Sequence, residues 1–173
     1  MEIYLIRHGL AGDRGTYADD TQRPLTKEGR EKTKQVAQQM RSIGLRFDRM
    51  LTSPYVRAQQ TAEILMQAKL SPQLEEAEFL AHDGKLEDLI DWWQNWERSR
   101  SAAGTDSPDA KLALVGHEPD LSAWAEQLIW GEVRGKFVLK KAGAIGLNVP
   151  ESGLAIGQCE LFWLTAPRLL LSK

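Results

Sequence analysis

Residues 1–9 read MEIYLIRHG, and the rest of the chain is organised around them. Ile3, Leu5 and Ile6 form a short apolar run suited to a buried strand. The run stops at Arg7-His8-Gly9, so such a strand delivers a cation and an imidazole to the edge of a sheet. A glycine at that point lets the backbone turn sharply and a ligand approach closely.

The pattern returns downstream. Lys111 to Gly116 is a second apolar strand, and it ends in Gly116-His117-Glu118-Pro119. Pro119 and Asp120 open a helix whose buried face is Leu121, Trp124, Leu128 and Ile129. Between the two strands, Leu10 to Gln22 is a polar loop. Lys27 to Ile43 is a helix capped by Thr26 and stopped by Gly44, with Val36, Ala37, Met40 and Ile43 at helical spacing. Phe47 to Thr52 is a short strand. Ser53 as N-cap and Pro54 at the first helical position then predict a helix to about Ala68, with Arg57 in its first turn. Pro72 to Asp83 is irregular or a short strand. Lys85 to Arg100 is an amphipathic helix with Leu86, Leu89, Ile90, Trp93 and Trp96 on one face and Trp92 off it. Three tryptophans so close are core or a docking surface, and core is the commoner use. Ala144 to Val149 and Gln158 to Leu164 form a terminal hairpin. Strands alternating with helices, followed by a hairpin, predict an α/β fold. Its sheet is mostly parallel with an antiparallel edge, and helices cover both faces.

At 173 residues the chain is expected to form one domain, residues 1–173. Its formal net charge of −2 argues against nucleic-acid binding, which needs a basic field. The apolar runs are too short to span a bilayer, and Arg7 and His8 interrupt any signal-peptide layout. One cysteine, Cys159, precludes an internal disulfide and reads as a buried strand residue in a reducing compartment, hence a cytoplasmic protein. A monomer is expected.

In open α/β sheets, ligands bind beyond the carboxyl ends of the strands. Arg7-His8, Ser53 leading to Arg57, and His117 all stand at such ends. Two cations and two imidazoles converging on one crevice make a site for a tetrahedral dianion such as phosphate. A metal site lacks a close-spaced ligand pair, and Arg7 would repel the ion. No Gly-x-Ser-x-Gly elbow and no Walker-type loop is present.

Arg7-His8-Gly9, Arg23-Pro24-Leu25-Thr26, Ser53-Pro54 with Arg57, and Gly116-His117 together resemble the histidine phosphatase superfamily, with its phosphoglycerate-mutase-like fold. The match spans most of the chain in the family's order. The short length, Gly116-His117-Glu118-Pro119 and Lys140-Lys141-Ala142-Gly143 look most like the SixA group of bacterial phosphohistidine phosphatases. The resemblance implies that His8 is the nucleophile and forms a phosphohistidine intermediate. Arg7 and Arg57 would bind the phosphoryl oxygens, His117 would complete the pocket, and Arg23 would lie near the phosphate. It implies no cofactor and no metal. The substrate would be a phosphohistidine-bearing protein or a small phosphorylated molecule; a module that binds phosphate without turnover is the third alternative.

The chemistry of the residues agrees. Imidazole titrates near pH ~6.5, so much of it is a free-base nucleophile at neutral pH. A hydrogen bond from its other nitrogen to a backbone carbonyl, such as that of Gly9, would fix the tautomer. Relatives that cleave monoesters carry an acidic proton donor. Here Glu75, Glu76, Glu78 and Asp83 lie in the candidate region, and Glu78 is the expected donor, with a solvated surface acid as its plainer reading. His82, in the same stretch, reads as a surface-loop residue. Too little chain lies between Pro72 and Lys111 for a lid, so an open, shallow pocket is expected.

Overall fold

The computed structural model describes residues 1–105, 107, 109–151, 153–154 and 156–170. Six strands make one sheet: β1 (Glu2–Arg7), β2 (Arg49–Thr52), β3 (Leu74–Glu76), β4 (Lys111–Gly116), β5 (Ala144–Asn148) and β6 (Glu160–Thr165). Their order is β3-β2-β4-β1-β5-β6. β1, β4, β2 and β3 run parallel, while β5 is antiparallel to β1 and β6 to β5. The expected architecture of a mostly parallel sheet with an antiparallel edge is therefore observed.

Alternation along the central strands decides which side chains meet which helices. Ile3 and Leu5 of β1 and Leu112 and Leu114 of β4 point to one face. There they pack with α3 (Leu86–Ala102) and α4 (Asp120–Trp130). Tyr4 and Ile6, with Ala113 and Val115, point to the other, where α1 (Lys27–Ser42) and α2 (Val56–Gln67) cover them. Strands buried on both faces read as continuous apolar runs, which is why β1 and β4 stood out in the sequence. Trp93 and Trp96 are buried in the α3 core, and Trp92 stacks on Trp96 at 5.7 Å between ring centroids. Two of the three tryptophans are core, and Trp92 packs against them half-buried.

Several local expectations are corrected. The second helix begins at Val56 and not at Pro54, and Tyr55 occupies its cap position. The Ser53 hydroxyl bonds the Tyr55 amide at 3.2 Å and also reaches His117, so it serves the strand end as well as the helix. Phe47 is buried but lies outside β2, its amide donating to the Leu70 carbonyl at 2.6 Å. Ile43 is not on the buried face of α1. It is the C-cap and is exposed, and Gly44 follows with φ +85°, which ends the helix. Cys159 is buried but precedes β6.

Gly9 makes room for a helix and not for a ligand. A Cβ at that position would collide with the Thr33 hydroxyl on α1. Gly29 plays the matching part from the helix side, where a Cβ would collide with the Leu10 carbonyl oxygen. That carbonyl also accepts from the Thr26 amide at 2.9 Å, so the segment just after His8 is pressed onto the first turn of α1.

Backbone against backbone leaves no soft atom to yield. Gly29→Ala is expected to destabilise the protein by about 1–3 kcal/mol. Chemical denaturation of the variant would check this, and an unchanged midpoint would contradict the close approach.

Candidate active site

The register of β1 and β4 pairs Arg7 with Gly116, so both strands end at the same level. The His8 amide donates to the Gly116 carbonyl at 3.1 Å, and the next residue on that side is His117. The two imidazoles therefore lie 5.2 Å apart between ring centroids, tilted by 53°. His8 Nδ1 lies 2.7 Å from the Gly9 carbonyl oxygen, the partner expected from the sequence. A carbonyl only accepts, so Nδ1 carries the proton and Nε2 keeps its lone pair. His117 Nε2 lies 2.8 Å from Ser53 Oγ, and its Nδ1 is buried without a partner.

The arginines come from three elements. Arg7 ends β1 and donates through Nη1 to the Leu139 carbonyl at 2.8 Å. Arg57, in the first turn of α2, is wholly buried. It donates through Nη1 to the Asp20 carbonyl at 2.8 Å and pairs with the Asp20 carboxylate at 3.3 Å. Arg23 is also buried. It binds the same carboxylate, Nε to Oδ1 at 2.8 Å, and donates to the Gly12 carbonyl at 2.8 Å. Asp20 thus holds two guanidiniums at once. Sequence reading missed it; the only local signal was its i,i+3 spacing to Arg23.

His8, Arg7, Arg23 and Arg57 border a cavity of about 370 Å³ whose wall also includes Arg14, Lys141, His82 and Glu118; His117 packs against His8 and His82 behind that wall. Five cations on one cavity contrast with the chain's net charge of −2. Of four buried side-chain nitrogens without a hydrogen-bond partner among the described residues, three belong here: Arg7 Nε, Arg57 Nε and His117 Nδ1. Among those residues, no group of three His, Cys, Asp or Glu side chains is arranged to hold a metal ion.

Glu78 is not brought to the cavity. It is exposed at the start of the 3₁₀ turn Glu78–Leu80. His82 is brought there instead, correcting its reading as a surface-loop residue. Its Nε2 is 3.2 Å from Arg57 Nη2, and its ring lies 4.6 Å from that of His117. Tyr55, also unforeseen, packs against His117 at 4.8 Å and under the Arg57 guanidinium at 4.9 Å.

Burial, with Arg57 and Arg7 adding to it, pushes His8 down to about 3. Burial pushes His117 down to about 2, with the neighbouring imidazole and Arg57 in support. Both rings are neutral at physiological pH. Burial also lowers Arg7 and Arg57 below the ordinary guanidinium value and raises Glu118 above the ordinary carboxylate value.

The family model described as the histidine phosphatase superfamily (branch 1) matches residues 3–114. An uncharacterized protein of Picosynechococcus sp. is 47% identical over 175 residues, covering 99% of each chain. The mitochondrial serine/threonine-protein phosphatase Pgam5 of Drosophila willistoni is 44% identical over 64 residues, 37% of this chain and 21% of its own length. The protein histidine phosphatase SixA, in a structure complexed with tungstate, is similar in fold. Its TM-score is 0.80 at 24% identity, covering 98% of this chain and 99% of that one.

Unfolded imidazoles titrate near pH ~6.5, so the unfolded chain takes up protons below that value that native His8 and His117 refuse. Stability is therefore expected to fall as the pH drops from about 6.5 toward the native values of about 3 and about 2. Glu118, raised by burial, works in the opposite sense, so the quantity to measure is a difference. The thermal midpoint of wild type should fall more between pH 7 and pH 5 than that of His8→Gln. Parallel curves would contradict the buried neutral ring.

Proposed function

The chain belongs to the histidine phosphatase superfamily, and from that premise we propose that it is a metal-independent phosphohistidine phosphatase. One observation carries this reading: unpartnered buried nitrogens on Arg7, Arg57 and His117 surround an imidazole whose Nε2 keeps its lone pair. Donors left without partners in a buried site await an anion that can accept from all of them.

In the proposed reaction His8 Nε2 attacks phosphorus and the substrate's imidazole departs with the electron pair of the broken P–N bond. Phosphoryl transfer asks mainly for positioning and charge neutralisation. Arg7 and Arg57 supply the neutralisation, with Arg23 close by. In the proposed tautomer Ser53 Oγ, which accepts from the Tyr55 amide, donates its own hydrogen to His117 Nε2 at 2.8 Å. That tautomer leaves Nδ1–H as a donor to a phosphoryl oxygen. The Gly9 carbonyl at 2.7 Å stabilises the Nδ1–H of the phosphorylated ring. Water then attacks phosphorus, the His8 N–P bond breaks, and inorganic phosphate leaves.

A protein is the favoured substrate. A groove of about 560 Å³ adjoins the site, sharing Arg7, Leu10 and Lys141 with it, and Lys32, Lys140 and Arg168 add further charge along its length. A basic groove beside the reacting centre suits an acidic protein surface carrying the phosphorylated side chain. Leaving as imidazole, such a substrate departs already protonated near neutral pH. SixA and Pgam5 are named as protein phosphatases, which fits this reading. The protein is further expected to act as a monomer in the cytoplasm.

Rapid quench after mixing with a phosphohistidine protein is expected to trap acid-labile phosphate on His8. His8→Ala should lower turnover by at least about 10³-fold. Arg57→Ala is expected to cost about 10²–10³-fold in kcat. Preference for sugar or nucleotide monoesters over the phosphohistidine protein would overturn the substrate class. Undiminished turnover by His8→Ala would overturn the mechanism.

A further inference from the structure

We propose that His82, held by Asp120, is the proton donor to an alkoxide leaving group in this chain, so that an imidazole and not a carboxyl group takes that task here. The inference rests on the phosphoenzyme reading above but assigns a residue that reading does not need.

His82 follows the 3₁₀ turn Glu78–Leu80. The next residue, Asp83, has φ +62°, and His82 lines the cavity. The imidazole is bracketed. On one side Nδ1 is 3.4 Å from Oδ2 of Asp120, the first residue of α4. On the other, Nε2 is 3.2 Å from Arg57 Nη2. The ring rests between Tyr55 and His117, at 5.6 and 4.6 Å between centroids. A carboxylate can only accept, so Nδ1–H faces Asp120, and the guanidinium can only donate, so Nε2 takes its hydrogen.

That arrangement changes when a phosphoryl dianion arrives. The dianion draws the Arg57 donor to its own oxygens and releases Nε2. The imidazole then lies between the dianion and the Asp120 carboxylate, and its freed Nε2 takes up a proton from solvent as the dianion binds. Nε2–H comes to rest beside the phosphoryl group, where an ester's bridging oxygen must collect a proton. Among the described residues lining the cavity, Asp13 and Glu118 are the carboxyl groups. Asp13 is exposed, and Glu118 accepts from Ser122 Oγ at 2.9 Å and has Arg7 for its charge neighbour.

The step balances with the one proton that His82 Nε2 takes from solvent as the dianion binds. The His8 Nε2–P bond forms as the P–O bond to the alcohol breaks. The electron pair of that bond goes to oxygen, and the His82 Nε2 proton joins it, giving ROH and neutral His82. In the second half, neutral His82 takes a proton from the attacking water, the new P–O bond forms, and the His8 N–P bond breaks. Phosphate leaves, His82 returns its proton to solvent, and Nε2 accepts from Arg57 again. An imidazole leaving group needs no such donor, whereas an alkoxide does.

The test compares three phosphoryl donors with purified wild type, His82→Gln, Asp120→Asn and Glu118→Gln. Phosphoserine has an alkoxide leaving group, while p-nitrophenyl phosphate and phosphoimidazole leave without help. His82→Gln is expected to lower kcat/KM on phosphoserine by about 10²–10⁴-fold, and on the other two only a few-fold. Asp120→Asn should repeat the pattern at about tenfold. Selective loss accompanied by near-normal kcat/KM on the other donors also shows that the variants fold. An equal loss on all three donors would mean that His82 merely orients Arg57, and would overturn the proposal. So would no loss on any, selective loss in Glu118→Gln instead, or wild type that ignores phosphoserine while turning over phosphoimidazole. Failure of wild type to turn over any donor would count against the phosphoenzyme reading itself, and the proposal would fall with it.

Discussion

The site depends on one pairing. β1 and β4 lie side by side and parallel, in a register that sets Arg7 against Gly116. A parallel pair has its ladder hydrogen bonds evenly spaced, and both strands end at the same edge. The bond from the His8 amide to the Gly116 carbonyl extends that ladder one step past β1. The two histidines leave the sheet beside each other as a result. A slip of one residue would turn Ile3 and Leu5 from the α3–α4 core to the α1–α2 side and carry His8 away from His117. The apolar alternation that packs the two faces is therefore what aligns the imidazoles.

The second constraint is charge. A wholly buried guanidinium beside two imidazoles and further cations is costly unless its protons find acceptors. Asp20 meets most of that cost. Its backbone carbonyl and its carboxylate both take Arg57, and the carboxylate takes Arg23 as well. The loop that carries Asp20 arrives there through a short 3₁₀ turn, Asp20–Gln22, capped by Asp19. Leu139 does the same for Arg7 through its carbonyl, which gives the apolar stretch around residues 137–139 a structural task. The cations are thus held in place before any ligand binds, so little reorganisation is required when charge moves through the site.

How much of this was legible in the sequence follows from how each residue is held. Arg7, His8 and His117 stand at the ends of apolar strands, and Arg57 stands at a helix start; hydrophobic periodicity finds such places. The sheet's parallel character and its antiparallel edge followed from the same pattern. Asp20 was not legible, because it lies in a polar loop 37 residues from Arg57 and nothing periodic ties the two together. His82 was misread because its partners are distant in the chain, Arg57 25 residues before it and Asp120 38 after, with nothing periodic to tie them to it. Gly9 was assigned to ligand approach, but helix α1 occupies the space its missing side chain leaves. Ser53 carried a sound helix-start signal, yet its hydroxyl is shared with His117 and the helix begins later.

The field that holds His8 neutral also shapes both halves of its proposed chemistry. Low basicity weakens a nucleophile, so a ring pushed down to about 3 attacks phosphorus less readily than free imidazole would. The same low basicity makes the ring a better leaving group once it carries the phosphoryl group. Arg7 and Arg57 decide which effect prevails at each stage. They lower the barrier to attack by neutralising the dianion as it binds, and their charge is spent on that dianion while it remains. Burial is the first cause of the low basicity and does not change when phosphate enters. The phosphorylated ring therefore remains a good leaving group, which favours transfer of its phosphoryl group to water. A buried imidazole among cations is suited to passing a phosphoryl group onward, and the Gly9 carbonyl keeps its tautomer constant throughout.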